Sequence, residues 1–140
     1  MKSLILAMTL IASTAAMAKP TATTAFQNVL PSGTYTGKND VSACTVTVNI
    51  TETAVGVTVK GKNVNDTFVV ANSALSTSIT ATEVRATQSL SFPHYINGGT
   101  KILNVKLDTA NNEAAVAISN ILLDHRGNDA STYAECVVAL

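Results

Sequence analysis

Cys44-Thr45-Val46-Thr47-Val48-Asn49-Ile50 and, just after it, Val55-Gly56-Val57-Thr58-Val59-Lys60 decide the fold class. In both stretches an apolar side chain takes every second position. Successive side chains on a strand point to opposite faces, so period two marks a strand with one face turned to a core. The positions between are largely Thr, whose branched Cβ suits a pleated surface while its hydroxyl faces water. Only a few residues around Glu52 separate the two stretches, the spacing of a hairpin.

The pattern extends in both directions. Phe68 to Val70 form a short strand after an Asn65-Asp66 turn signal. Val84, Ala86, Leu90 and Phe92 alternate with Arg85, Thr87, Ser89 and Ser91, and Leu103, Val105 and Leu107 with Asn104 and Lys106. A turn at Asn111-Asn112 leads into Ala115 to Leu123, and the chain closes on Ala134, Cys136, Val138 and Leu140 in one phase. The Ser- and Thr-rich stretch from Leu75 to Ala81 carries the weakest strand signal. The count is eight or nine strands with short turns, and no linker or repeat divides them. The fold class is therefore all-β, a single antiparallel β-barrel or β-sandwich over residues 33–140. Val46, Val48, Ile50, Val57, Val105, Leu107, Val138 and Leu140 are expected in the core, and Thr45, Thr47, Thr58 and Lys106 nearer to solvent.

Before this domain come two other segments. Lys2, the apolar run Leu4–Ile11 and the small residues of Ala16-Met17-Ala18 have the layout of a secretory signal peptide over 1–18, with cleavage near Ala18. The run is shorter than the ~20 residues that span a bilayer, so no membrane insertion of the mature chain is expected. A lead segment, 19–32, places Ala22, Ala25, Phe26, Val29 and Leu30 at helical spacing before Pro31-Ser32-Gly33 stops the pattern. A short helix plugging the domain and a loose lead are both consistent with it. Few aromatics weigh against an outer-membrane barrel, whose lipid face carries aromatic girdles. The expected location is periplasmic or secreted.

Without Lys2, eight basic side chains face nine acidic ones, and the basic residues form no cluster. That balance provides no field to draw in nucleic acid. Cys44 and Cys136 both fall in the exported part, where an oxidising compartment favours a disulfide. Such a bridge constrains topology. In a simple closed meander the last strand sits beside the first, and the two cysteines are then two strands apart. That separation is roughly 9.6 Å in a flat sheet, whereas a disulfide needs Cα atoms within roughly 7 Å. The last strand must pair with the Cys44 strand, face it across the core, or meet Cys44 at a flexible strand entry. The in-phase valines favour the first two.

Gly33-Thr34-Tyr35, opening the first strand after the lead segment, resembles over those three residues the Gly-x-Trp opening of the calycins, the lipocalin and avidin group. Tyr35 stands where that group has Trp. The resemblance implies a cup that holds a small apolar ligand.

Candidate site residues fall in two loops. His94 and Tyr95 lie in 93–99, and Asp124, His125, Arg126 and Asp129 in 124–132. Two strands run between the loops, and two antiparallel crossings return the chain to one end. The loops should form one rim, with Tyr95 offering an amphipathic ring, Arg126 a donor fork and the histidines a switchable charge. The histidines with Asp124 or Asp129 match no metal-ligand spacing, and turn chemistry accounts for the acids. No Gly-x-Ser-x-Gly or His-Glu-x-x-His occurs, and no catalytic residue or cofactor is assigned. Asn49-Ile50-Thr51 and Asn65-Asp66-Thr67 fit the glycosylation sequon, but the leader has a bacterial look and neither is expected to be modified.

The leading expectation is a small exported, non-enzymatic binding module for an unknown protein or small ligand, with recognition by rim loops or by the barrel interior. The alternatives are an inhibitor of a secreted hydrolase and a structural subunit of a surface fibre.

Overall fold

The structure, a computed structural model, describes residues 22–71, 76–91 and 95–140. The expected signal peptide, Phe92 and His94 lie outside these residues.

One helix, α1 (Ala22–Val29), precedes nine strands: β1 (Gly33–Lys38), β2 (Ala43–Ile50), β3 (Ala54–Gly61), β4 (Asn65–Ala71), β5 (Ser76–Ile79), β6 (Glu83–Leu90), β7 (Tyr95–Asp108), β8 (Glu113–Asp124) and β9 (Thr132–Ala139). They form one antiparallel sheet in the order β4-β3-β2-β1-β9-β8-β7-β6-β5. The chain meanders outward from β1 to β4 and then inward from β5 to β9, which returns beside β1. The sheet curls into a half-barrel with β4 and β5 as its end strands. Among the described residues, no helix is long and apolar enough to cross a membrane.

The curl is what buries the alternating faces. Val48, Val57 and Phe68 form one row across β2, β3 and β4. Opposite them, Val84-Val105-Val116-Cys136 and Ala86-Leu103-Ile118-Ala134 form two rows across β6 to β9. Every one of these side chains is buried. Burying a Val, Leu or Phe side chain contributes about 1.5–3 kcal/mol, so these rows hold the two halves together. Helix α1 adds Phe26, Val29 and Leu30 to the same core and packs against β5 and β6. Of the two readings of the lead segment, the structure takes the helix. The Tyr35 hydroxyl donates to the Pro31 carbonyl at 2.9 Å, and the Ser32 hydroxyl accepts from the Ile50 amide at 2.9 Å, which ties the helix exit to the sheet.

The expected faces hold for Val46, Val48, Val57, Val105 and Val138, which are buried, while Thr47 and Lys106 are exposed and Thr45 and Thr58 half-buried. Ile50 and Leu107 are half-buried at strand ends, packed on the core's edge. Leu140 departs from expectation and is 44% exposed. It lies one residue beyond β9, where Asn112 holds only its backbone: the Leu140 amide donates to the Asn112 carbonyl at 3.0 Å, and the Leu140 carbonyl accepts from the Asn112 side-chain amide at 2.5 Å.

Two elements start earlier than the turn signals suggest. Asn65 and Asp66 belong to β4 itself. The segment 95–99, expected as loop, is the first part of β7, with a register shift between Tyr95 and Gly99. Gly98 takes a left-handed φ of 67°, and both glycines of the segment are also closely packed. A Cβ on Gly98 would lie 2.4 Å from the Leu90 carbonyl oxygen, and one on Gly99 would lie 2.1 Å from Leu122 Cδ2.

The disulfide joins Cys44 to Cys136 with Cα atoms 5.9 Å apart. β2 and β9 do not pair; β1 stands between them, as in a simple meander. The flat-sheet objection fails because the sheet folds sharply along β1. Gly37 pairs with Cys44 on one side and with Val138 on the other. A Cβ there would lie 2.0 Å from the Val137 carbonyl oxygen, so only glycine admits so close a crossing. With the corner at Gly37, β2 faces β9 across the interior, and the two sulfurs meet inside it. This is the second of the three arrangements named above.

Candidate functional site

The β8–β9 turn shows how local chemistry shapes a surface. The Asp124 carboxylate accepts from the Arg126 and Asn128 amides at 2.8 Å each and from the Asn128 side-chain amide at 3.1 Å. Asp129 accepts from the Ser131 amide at 2.9 Å. These are Asx-type turns, in which a short side chain replaces a backbone acceptor. The Asn128 amides, backbone then side chain, hold Asp124 below the ordinary carboxylate range, and the Ser131 hydroxyl and amide do the same for Asp129. Both acids therefore organise the turn. His125 and Arg126 are exposed at its tip.

Tyr95 pairs with Asp124 in the β7–β8 register, so the start of β7 and the β8–β9 turn share one end of the sheet. Among the described residues, no three His, Cys, Asp or Glu side chains come together in a way that would hold a metal.

Beside the turn, on the outer face, lie three side chains that the periodicity argument passed over. Ile121 is 53% exposed, Leu123 46% and Tyr133 59%. The Tyr133 hydroxyl donates to Glu135 at 2.9 Å, and partial burial together with this carboxylate raises its pKa. The signal was the run Ile121-Leu122-Leu123: three consecutive apolar residues in a strand must turn at least one to the solvent face. Leu122 takes the inner position and is buried.

The interior at this same end is polar. Lys101 Nζ lies 2.6 Å from Asp66 Oδ1 and 2.6 Å from the Thr67 carbonyl oxygen. The Asn120 side-chain amide donates to the other oxygen of Asp66 and, at 2.8 Å, to the Thr132 hydroxyl. Lys101 and Asn120 sit in phase with Leu103 and Ile118, and a polar residue in a core phase was the legible sign of this cluster. A groove of about 210 Å³ beside it is lined by residues 63–66 and 132–134. At the other end of the strands, an open groove of about 630 Å³ runs along the β1–β2 turn, where Val41 is 87% exposed.

No family model, no curated protein and no solved structure matches the chain.

Proposed function

We propose that the chain is an exported, non-enzymatic binding module that recognises a protein partner through its outer surface at the β8–β9 end. The carrying observation is the contrast between a filled interior and an apolar exterior at this one place. Phe26, Leu30, Phe68, Leu103 and Ile118 occupy the inside of the half-barrel at 1% exposure or less, which argues against the calycin-like cup. Ile121, Leu123 and Tyr133 stay in solvent beside the Arg126 tip. Exposed apolar side chains grouped with Tyr and Arg are the composition of interface hot spots, and the turn that carries Arg126 is organised in advance. The test is a paired capture from envelope or secreted fractions, using the immobilised wild type and a Leu123→Asp/Arg126→Ala variant. A partner held by the wild type and lost by the variant supports the reading; equal capture by both refutes it.

One observation favours a second reading, the fibre subunit. β4 and β5 end the sheet, so the strands do not complete a closed barrel, and an end strand can accept a strand from another chain. Linear polymers that form at high concentration, and are lost when Val69 on β4 is replaced by Pro, would support it over surface recognition.

A further inference from the structure

We propose that Lys101 and Asn120 are joined by an intramolecular isopeptide bond, formed by the chain itself with Asp66 as the proton carrier. Three conditions make an amine and a carboxamide react without an enzyme: enforced proximity, restricted water and a group that relays the proton. The end of this half-barrel supplies all three.

Proximity comes from the sheet. Lys101 and Asn120 are direct partners in the β7–β8 register, and opposed residues have Cβ atoms about 4.5–5.5 Å apart, within reach of a lysine stem. Both lie on the interior face. Asp66 reaches them from β4, binding the Lys101 amine through Oδ1 at 2.6 Å and the Asn120 amide through Oδ2. A single carboxylate therefore holds nucleophile and leaving group together. Restricted water follows from the layer below. Leu103, Ile118 and Phe68, each two residues along the strand from one member of the triad, are fully buried. Asn120 itself is 8% exposed, and the Lys101 and Asp66 side chains are 15% and 18% exposed.

The step balances within the triad. A proton moves from Lys101 Nζ to Asp66, converting the ion pair into an amine and a carboxylic acid. The Nζ lone pair attacks Asn120 Cγ, and the carbonyl electrons move onto the amide oxygen as the new C–N bond forms. The carboxyl group then passes a proton to Nδ2 as the Cγ–Nδ2 bond breaks. Ammonia leaves and takes up the second proton released from Nζ, departing as ammonium with the charge Lys101 carried. Asp66 is returned as carboxylate, and no oxidant, metal or cofactor enters. The product locks the β7–β8 hairpin beside the open seam at β4.

The test is the intact mass of the purified, oxidised protein, followed by tandem mass spectrometry of its digest. The expected result is a chain lighter by one ammonia than its sequence with the disulfide counted, and a branched peptide linking residue 101 to residue 120. Lys101→Ala and Asp66→Asn should each restore the full mass. A wild type of full mass, with Lys101 and Asn120 recovered in separate linear peptides, overturns the proposal. So does loss of water in place of ammonia, which would join Lys101 to Asp66. Should a variant fail to fold, the wild-type digest decides alone.

Discussion

Reducing the Cys44–Cys136 bond should remove a large share of the protein's stability. The bridge spans 92 positions, and the chain-entropy model gives a loop of that length about 4.6 kcal/mol at 25 °C, acting mainly on the unfolded ensemble. Domains of this size have about 5–15 kcal/mol in total, so the reduced chain keeps between almost nothing and two thirds of it. Reduction is a cleaner perturbation than replacement by Ala, because both sulfurs are buried and truncation would add a cavity cost. For the same reason the bond should be reduced in denaturant and the chain refolded with the reductant present. Urea unfolding followed by circular dichroism reads the effect. With a slope of about 2 kcal/mol per molar, the midpoint should fall by about 2 M, and the slope should steepen because the untethered unfolded chain exposes more surface. A loss below about 1 kcal/mol would refute the reasoning.

Gly37→Val should cost about 3 kcal/mol or more by forcing β1 away from β9, read as a lowered midpoint in the same assay. Phe68→Ala, at a fully buried position, should cost about 3–5 kcal/mol, while Val69→Ala next to it, 54% exposed, should change stability by no more than about 0.5 kcal/mol. The β8–β9 turn should be acid-sensitive. Asp124 and Asp129 have folded pKa values below the ordinary 3.8, so their contribution is fully present above that value and is lost as pH falls through the lower folded one. Amide exchange at Arg126, Asn128 and Ser131 should be flat from pH 7 to 5 once corrected for intrinsic rates, and should accelerate below pH 4. Acceleration already at pH 5 to 6 would count against the carboxylate hydrogen bonds.

Strand identity and face were readable because alternation is a local property: Val46, Val57 and Val105 needed only their neighbours to be placed. The corner at Gly37 was not readable. Nothing local separates a glycine that admits a close crossing from one that loosens a strand, and flat-sheet spacing then pointed away from a β1–β9 meander. The same limit explains 95–99 and 65–66. Asn, Gly and Asp mark turns when judged alone, yet Gly98 and Gly99 serve tight contact with β6 and β8, and Asp66 is satisfied in a strand by Lys101 and Asn120 from distant strands. Of the rim, the shared end followed from counting crossings. The apolar shelf beside it required knowing that none of the described residues covers Ile121 and Leu123 on β8.

The most direct test of recognition at the β8–β9 end is an amide-exchange footprint of the captured partner on the protein. Recognition there should concentrate protection in residues 121–133 and leave the β1–β2 turn at 39–42 unchanged. Protection confined to the β1–β2 end, or to the interior rows of β2 to β4, would contradict it.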